Sequence, residues 1–297
     1  MTVSEEKISR DFNFLLYVGK DSEKVEEAKS TIAALVRENG IKLREVANRG
    51  DIEKTLERTG PETILLSLGG DGTFLRAADM IAPYRVPVLG INLGKLGFLA
   101  GLNSFELKEG LQDLLRGRFT VKELSRLKCR VNPDDGERKN REFTALNEVV
   151  IARGDTAGLA ELELFLDSKK VATYPGDGLI VSTPTGSTAY SLSCGGPLIT
   201  RNTAAFGITP LNVHKLGLRP IICSEDTSVS VKTNTPVVIE VDGKNVGSLD
   251  EGKTVEMAKS ETPTLMIVPD DQSDFFQTVR NKLNWAKDRG TRFQASE

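Results

Sequence analysis

Residues that build disulfide frameworks and metal centres are scarce in this chain of 297 residues, which has three cysteines and one histidine. Cys129, Cys194 and Cys223 are odd in number and far apart, which fits reduced structural thiols better than a disulfide framework or a zinc site. His214 has no second histidine with which to build a metal site, and we interpret it as a structural hydrogen-bonding residue.

Long apolar runs and a large charge of one sign are also absent. No run of about 18 apolar residues occurs, and the first residues lack a hydrophobic signal core, so we expect no membrane segment and a cytoplasmic protein. The formal net charge of -3 gives no electrostatic basis for binding nucleic acid or an anionic membrane. The length is sufficient for one large domain or two ordinary ones.

The most informative motif is GGDGT at residues 69–73, which follows an apolar run at residues 63–68. The three glycines leave room for an anion to approach the backbone, and a helix predicted from Phe74 directs its free amide groups toward the same place. This context favours phosphoryl transfer, with Asp71 as either a metal ligand or a base. The alternative is a tight strand-to-helix turn in which Asp71 is a capping residue. No Walker A motif occurs, so a phosphoryl donor must be held by another device.

Two patterns of hydrophobic residues divide the chain. In the first part strands and helices alternate, which predicts a parallel sheet covered by helices, with ligands beyond the carboxyl ends of its strands. From Thr120 onward short strands separated by turns predict an antiparallel β-sandwich. The first part has predicted strands at 14–18, 41–46, 63–68 and 87–91 and helices at 22–39, 51–59, 74–81 and 105–115. Later strands are predicted at 120–130, 143–152, 159–166, 179–182, 228–232, 237–242 and 254–257, and a helix at 272–289.

Further motifs follow GGDGT in a fixed order. Asn147-Glu148 follows an apolar run, and the segment GDGLIVSTPTGSTAYS extends from Gly176 to Ser191. Together with NLGKLGFL at 92–99, GGP at 195–197 and the segment at 275–285, these motifs resemble the NAD kinase family over most of the chain. GGDGT alone also occurs in diacylglycerol-type lipid kinases and phosphofructokinase-like enzymes, so the resemblance depends on the ordered set.

The resemblance implies a fold and a reaction. The fold is a Rossmann-like parallel α/β domain at residues 1–119, completed by a helix at 270–290 that returns to it, and an antiparallel β-sandwich domain at 120–269 that binds NAD. The reaction is transfer of a terminal phosphoryl group from ATP or polyphosphate to the 2′-hydroxyl of the adenosine ribose of NAD, giving NADP. Asp71 matches the family's base, and Mg²⁺ or another divalent metal accompanies the donor. A homodimer or homotetramer is also suggested.

The resemblance also implies the residues that bind the dinucleotide. Neighbouring residues of a regular strand face opposite ways, so a bulge or a strand end is expected at Asn147 and Glu148. The alternative for this pair is a polar margin of a strand, and the alternative for the hydroxyl-rich segment 185–191 is the capped start of a helix. Asp177 is expected to contact the nicotinamide half of NAD, and its alternative is an Asx turn. The predicted NAD-binding residues are Gly70, Asp71, Gly72, Asn147, Glu148, Asp177, Thr188, Ala189, Tyr190 and Ser193, and the predicted phosphate loop is Gly69, Gly70, Gly72 and Thr73.

Three positions depart from the family pattern. Many members have arginine two residues before Asp177, where this chain has Pro175, which leaves open how oxidised and reduced dinucleotides are distinguished. Val213 precedes His214 where a Pro-His pair is usual, and Lys244 replaces a more usual amide. Two rival functions stay open. A catalytically silent NAD(P)-binding regulator needs the pocket but not the base, and a soluble diacylglycerol-type lipid kinase leaves the later motifs unexplained.

Overall fold

The computed structural model describes residues 13–59, 63–94, 97–131, 141–154, 158–215, 217–270 and 275–283. Within these residues the chain forms one helix-covered sheet of seven strands and two antiparallel sheets of six strands each, followed by a helix. The predicted fold class, α/β followed by β with a C-terminal helix, is therefore confirmed. No helix in this described part is long and apolar enough to span a membrane.

The first sheet takes strands from both ends of the chain. It consists of β1 (Asn13–Val18), β2 (Lys42–Glu45), β3 (Thr63–Leu68), β4 (Val88–Asn92), β5 (Leu102–Asn103), β6 (Phe119–Leu124) and β19 (Thr264–Pro269). The order is β2-β1-β3-β4-β19-β6, with β5 beside β4. All neighbouring strands are parallel except β19 and β6, which pair antiparallel. Every residue of β3 is buried, as expected for a central strand covered on both faces.

Four helices cover this sheet. α1 (Glu23–Glu38) and α4 (Leu107–Leu115) pack on one face, and α2 (Arg49–Thr59) and α3 (Asp71–Ile81) pack on the other. The hydroxyl of Ser22 caps α1 by accepting a hydrogen bond from the Val25 amide at 3.4 Å. Gly40, with a φ of 68°, lies just beyond its end.

The β-sandwich is built from the remaining strands. They are β7 (Leu127–Val131), β8 (Arg141–Ala145), β9 (Glu148–Arg153), β10 (Ala160–Leu166), β11 (Lys169–Gly176), β12 (Gly178–Ser182), β13 (Ala205–Leu211), β14 (Ile221–Ser224), β15 (Val229–Thr233), β16 (Val237–Val241), β17 (Lys244–Leu249) and β18 (Thr254–Lys259). One sheet has the order β11-β10-β15-β18-β7-β8, and the other has the order β14-β13-β12-β9-β16-β17. Their inner faces form one apolar core, in which Cys129 is buried as a free thiol.

Several predicted elements differ from the observed ones. The third helix begins at Asp71 rather than at Phe74, because Gly70 supplies an extended residue directly before it. The predicted strand 120–130 is two strands in different sheets, β6 and β7, and the predicted strand 143–152 is likewise β8 and β9. The pattern does not predict β5, β11, β13, β14, β17 or β19.

The last helix, α6 (Phe275–Leu283), lies inside the predicted span 272–289, whose other residues are outside the described part. A shorter helix, α5 (Tyr190–Ser193), follows a 3₁₀ turn at Gly186–Thr188. Both β6 and β19, at the two ends of the segment predicted as the sandwich, are hydrogen-bonded into the first sheet. The chain therefore returns to the first sheet after completing the sandwich.

Candidate active site

Asp71 is the first residue of α3, at the carboxyl end of β3, and its carboxylate is held from several sides. The Phe98 amide donates to its Oδ2 at 2.9 Å, and the Leu99 amide donates to its Oδ1 at 3.0 Å. Lys282, on α6, donates to Oδ2 at 3.3 Å. About a third of the Asp71 side chain remains exposed. The carboxylate is thus oriented by fixed backbone donors and still open on one side.

The glycines around Asp71 have different surroundings. A Cβ atom on Gly70 or Gly72 would meet nothing within 4 Å, so the backbone here is open to an incoming group. Gly69 has a φ of 151°, which suits glycine. Thr73 is buried, with its side chain packed against Gly69, so its hydroxyl faces the protein interior rather than the opening beside Gly70.

Gly97 lies in the loop that holds the carboxylate. A Cβ atom at this position would overlap Oδ1 of Asp71 and would lie 3.1 Å from its Cγ and 3.2 Å from Nδ2 of Asn92. Asn92, at the end of β4, in turn accepts a hydrogen bond from the Gly94 amide at 2.9 Å. The motif at 92–99 therefore packs directly around Asp71, while its residues 95 and 96 lie outside the described part.

Asn147 and Glu148 lie where β8 ends and β9 begins, so a strand end resolves the problem of their opposite directions. Asp242, at the turn between β16 and β17, accepts hydrogen bonds from three successive amides. Its Oδ2 accepts from Leu146 at 2.8 Å, and its Oδ1 accepts from Asn147 at 2.8 Å and from Glu148 at 3.2 Å. The carboxylate of Asp242 thus fixes the backbone of the whole junction.

Glu148 is buried, and its Oε2 has no hydrogen-bond partner within the described residues. Burial, with a smaller contribution from the charge of Asp242, raises the pKa of Glu148 to about 8, although a hydrogen bond with the Tyr190 backbone opposes the shift. Buried polar atoms are nearly always hydrogen-bonded in native proteins. A ligand hydroxyl at this position would supply the missing partner.

The hydroxyl-rich segment packs against Asn147. The Thr183 amide donates to the Asn147 carbonyl at 2.9 Å, and Gly186 lies so close that a Cβ atom there would overlap the same carbonyl. Tyr190 has 47% of its surface exposed at the start of α5. Thr188 and Ala189 are partly exposed beside it, and Ser193 is exposed at the end of α5. The structure therefore joins Asn147, Glu148 and the segment 183–190 in one site.

Asp177 lies between β11 and β12, in a separate polar group. It accepts hydrogen bonds from Nδ2 of Asn212 and from Nε of Arg153, both at 2.8 Å. The hydrogen bond from Asn212 is the largest cause of a lowered pKa for Asp177. His214 is exposed nearby, and its amide donates to the Pro175 carbonyl at 3.0 Å. This bond is made by the backbone, so the structural role of the His214 side chain stays a prediction.

Arg126 is a buried residue that the sequence pattern does not single out. Its guanidinium donates to the Ala78 carbonyl at 3.1 Å and to Oγ1 of Thr144 at 2.8 Å. It also pairs with Asp79 at 3.3 Å. Because Ala78 is on α3 and Thr144 is on β8, Arg126 ties the helix that begins with Asp71 to the strand that leads to Asn147. The local sequence does not mark Arg126, because Lys122, Glu123, Lys128 and Arg130 around it are charged as well.

The residues described here include no group of three or more His, Cys, Asp or Glu side chains arranged to hold a metal ion. Mg²⁺ is often bound through one or two carboxylates together with substrate phosphates, rather than by a cage made only of protein groups. Asp71 is a partly exposed carboxylate of this kind, so the residues fit a divalent metal that arrives with a phosphoryl donor.

Comparisons with known proteins agree across the chain. A family model described as the ATP-NAD kinase N-terminal domain matches residues 4–119, and one described as the ATP-NAD kinase C-terminal domain matches residues 146–268. The chain is 41% identical over 223 residues to the NAD kinase of Natranaerobius thermophilus, a match that covers 74% of this chain and 77% of that protein. It is 40% identical over 231 residues to the NAD kinase of Moorella thermoacetica, with coverage of 77% and 72%.

Two solved structures share the fold. The yeast NADH kinase complexed with NADH has a TM-score of 0.79 at 22% identity, and the match covers 95% of this chain and 89% of that one. An NAD kinase from Archaeoglobus fulgidus in complex with ATP has a TM-score of 0.71 at 23% identity, with coverage of 92% and 98%.

Proposed function

This chain belongs to the NAD kinase family, and from that premise we propose that it transfers a terminal phosphoryl group from ATP, or from polyphosphate, to the 2′-hydroxyl of the adenosine ribose of NAD, giving NADP. The observation that carries the proposal is the position of Asp71. Its carboxylate lies at the end of β3, is oriented by the amides of Phe98 and Leu99, and adjoins the open backbone of Gly70 and Gly72.

Asp71 acts as the base in this reaction. Its carboxylate orients the ribose hydroxyl and accepts the proton as the hydroxyl oxygen attacks the terminal phosphorus. The bond between that phosphorus and the bridging oxygen breaks, and the shortened donor leaves with the electron pair. The backbone at Gly69, Gly70 and Gly72 lines the path of the donor phosphates, and Thr73 supports it from inside. A divalent metal that arrives with the donor would be held by the donor phosphates beside Asp71 and would neutralise phosphate charge there.

The dinucleotide lies along the junction of β8 and β9. Asn147 offers a donor and an acceptor to the adenine edge, and Glu148 hydrogen-bonds a ribose hydroxyl through its unpartnered oxygen. Tyr190 covers the adenine ring, with Thr188, Ala189 and Ser193 around that ring. Asp177 contacts the nicotinamide half, contributed across a subunit boundary in a homodimer or homotetramer. We also place the protein in the cytoplasm, which the free state of its three cysteines supports.

A test of the proposal measures NADP formation with NAD as acceptor and either MgATP or polyphosphate as donor. NADP formed with at least one donor supports it. A catalytically silent regulator would bind NAD(P) without consuming a donor, and a lipid kinase would consume ATP only with a diacylglycerol-type acceptor. Either outcome would overturn the proposal.

The role of Asp71 is tested by Asp71→Asn, which keeps the size of the side chain but removes its ability to accept a proton. We expect kcat to fall by about 10²-fold or more while NAD still binds. Calorimetric titration with NAD checks that the site is intact. Near-normal turnover in this variant would show that another group is the base.

A further inference from the structure

The last helix brings a cation to the base. Lys282, near the end of α6, donates to Oδ2 of Asp71 at 3.3 Å, and its Nζ lies 4.3 Å from the centre of the Phe98 ring. About a quarter of the Lys282 side chain is exposed. The ammonium therefore lies between the carboxylate and an aromatic face, at the edge of the opening beside Asp71.

α6 is held against this site at its start as well as near its end. The guanidinium of Arg201 lies 5.7 Å from the centre of the Phe275 ring and donates to the Phe98 carbonyl. Val279, between these two contacts, is buried. The helix thus packs on the loop that orients Asp71, and these contacts position Lys282.

The hydrogen bonds of Asp71 show which of its two oxygens Lys282 occupies. A carboxylate oxygen has two lone pairs, and on Oδ2 both are engaged, one by the Phe98 amide and one by Lys282. The amide is fixed by the backbone, whereas the lysine ends a flexible stem of four carbons. A ribose hydroxyl that binds Oδ2 therefore displaces the ammonium, which remains close to the hydroxyl oxygen.

We propose that Lys282 is a further catalytic residue: the ribose hydroxyl displaces its ammonium from Asp71, and the ammonium then contacts the oxygens of the phosphoryl group in transfer. This inference rests on the proposed function. During the step the hydroxyl proton passes to Asp71, the new oxygen–phosphorus bond forms and the bond to the leaving phosphate breaks. Lys282 keeps its proton and stabilises the charge on the equatorial oxygens.

Among the residues that the structure describes, Arg201 is a second cation near Asp71, but its position gives it a different role. Its guanidinium is partly buried and donates to the Phe98 carbonyl. Burial lowers the pKa of Arg201, and the charge of Asp71 opposes that shift. A planar group held in this way supports the loop and the Phe275 ring. Of these two cations, Lys282 is the one with the freedom to follow the substrate.

The experiment compares Lys282→Ala with the parent in steady-state kinetics, using Arg280→Ala as the matched control on an exposed position of the same helix. We expect kcat of Lys282→Ala to fall by about 10²-fold, the usual effect of losing one preorganised donor, with the KM for NAD within about threefold of the parent. Arg280→Ala is expected to keep the parent's kcat. Lys282→Arg, which keeps the positive charge, is expected to lose less of kcat than Lys282→Ala.

Chemical rescue separates catalysis from structural support. Propylammonium ions added to Lys282→Ala are expected to raise kcat at least about tenfold, because an amine of that size can occupy the space of the missing side chain. Propanol, which is neutral and of similar size, is expected to have no effect. Equal stimulation by both compounds, a kcat within threefold of the parent, or a change confined to the KM for NAD would each overturn the role of Lys282.

The parent's own activity distinguishes the two proposals. A parent that forms NADP and a Lys282→Ala variant that matches it would overturn only the role of Lys282. A parent that forms no NADP with any donor would overturn the proposed function, and the role of Lys282 with it.

Discussion

Gly97→Ala is expected to lower kcat sharply, because it places a methyl group against the carboxylate of Asp71. The added Cβ would overlap Oδ1 of Asp71 and come within 3.1 Å of its Cγ. Either the carboxylate or the loop must then move by about 1 Å, and the hydrogen bonds from the Phe98 and Leu99 amides cannot both be kept. A displacement of that size near the reacting atoms commonly costs about 10²-fold in rate, or about 2.7 kcal/mol in the activation barrier.

The matched control is Gly94→Ala in the same loop. The nearest atom to a Cβ at this position is Oδ1 of Asn92 at 3.7 Å, an ordinary van der Waals contact, and the hydrogen bond from the Gly94 amide is kept. We expect this variant to stay within about twofold of the parent in kcat. Both variants are expected to bind NAD, because the sandwich residues of the site are untouched.

The assay is NADP formation at saturating NAD and donor, with thermal melting to confirm that each variant is folded. If Gly97→Ala turns over at the parent's rate, the close approach of this loop does not set the position of Asp71. If both variants lose activity equally, the loop is intolerant of any side chain and the argument from distance is wrong.

Two further predictions concern Glu148 and Pro175. Burial raises the pKa of Glu148 from 4.5 to about 8, so between these pH values the folded protein keeps a proton that the unfolded chain has released. The free energy of unfolding therefore falls as pH rises through this interval, by at most about 1.4 kcal/mol per pH unit. Glu148→Gln is expected to flatten this decline in urea titrations at several pH values, and parallel curves would contradict the assignment. Pro175 has no charge that could distinguish oxidised from reduced nicotinamide, and the neighbouring Tyr174 is buried in the core. We therefore expect measurable phosphorylation of NADH as well as NAD. Pro175→Arg is expected to restore part of the preference for NAD. An NADH rate at background in the parent would show that selectivity comes from elsewhere.

The elements predicted most accurately are those with a strong local signal. The bounds of β3 agree with the apolar run at 63–68, because a strand buried on both faces is apolar throughout. The hydrophobic pattern does not predict β11, which lies at the edge of its sheet. Its exposed lysines and Pro175 are typical of an edge strand and interrupt the alternation of apolar and polar residues. Asp71 and the pair at 147–148 were identified from motifs, and the structure shows how each is held, but their roles stay predictions.

The supporting residues were beyond the reach of local patterns. Asp242 bonds to the Asn147 amide from 95 positions away, and Lys282 reaches Asp71 from 211 positions away. Neither position has a neighbouring residue that would indicate its partner, since the contact exists only after the sheets have been assembled. Arg126 joins α3 and β8 in the same way. Sequence patterns therefore located the candidate base, whereas the contacts that hold it in place are visible only in the assembled structure.

The insertion of β19 between β4 and β6 affects how the protein is made. During synthesis the ribosome produces β1 to β6 early. Until Thr264–Pro269 emerges, the edge of β4 is covered only at Ile91 and Asn92, by the short strand β5, and β6 lacks its neighbour in the described sheet. An open apolar edge on a nascent chain is prone to pairing with other chains, so this interval is when a chaperone is most useful. Fragments that end before Thr264 are therefore expected to aggregate. The sheet that is synthesised first is the last to be completed.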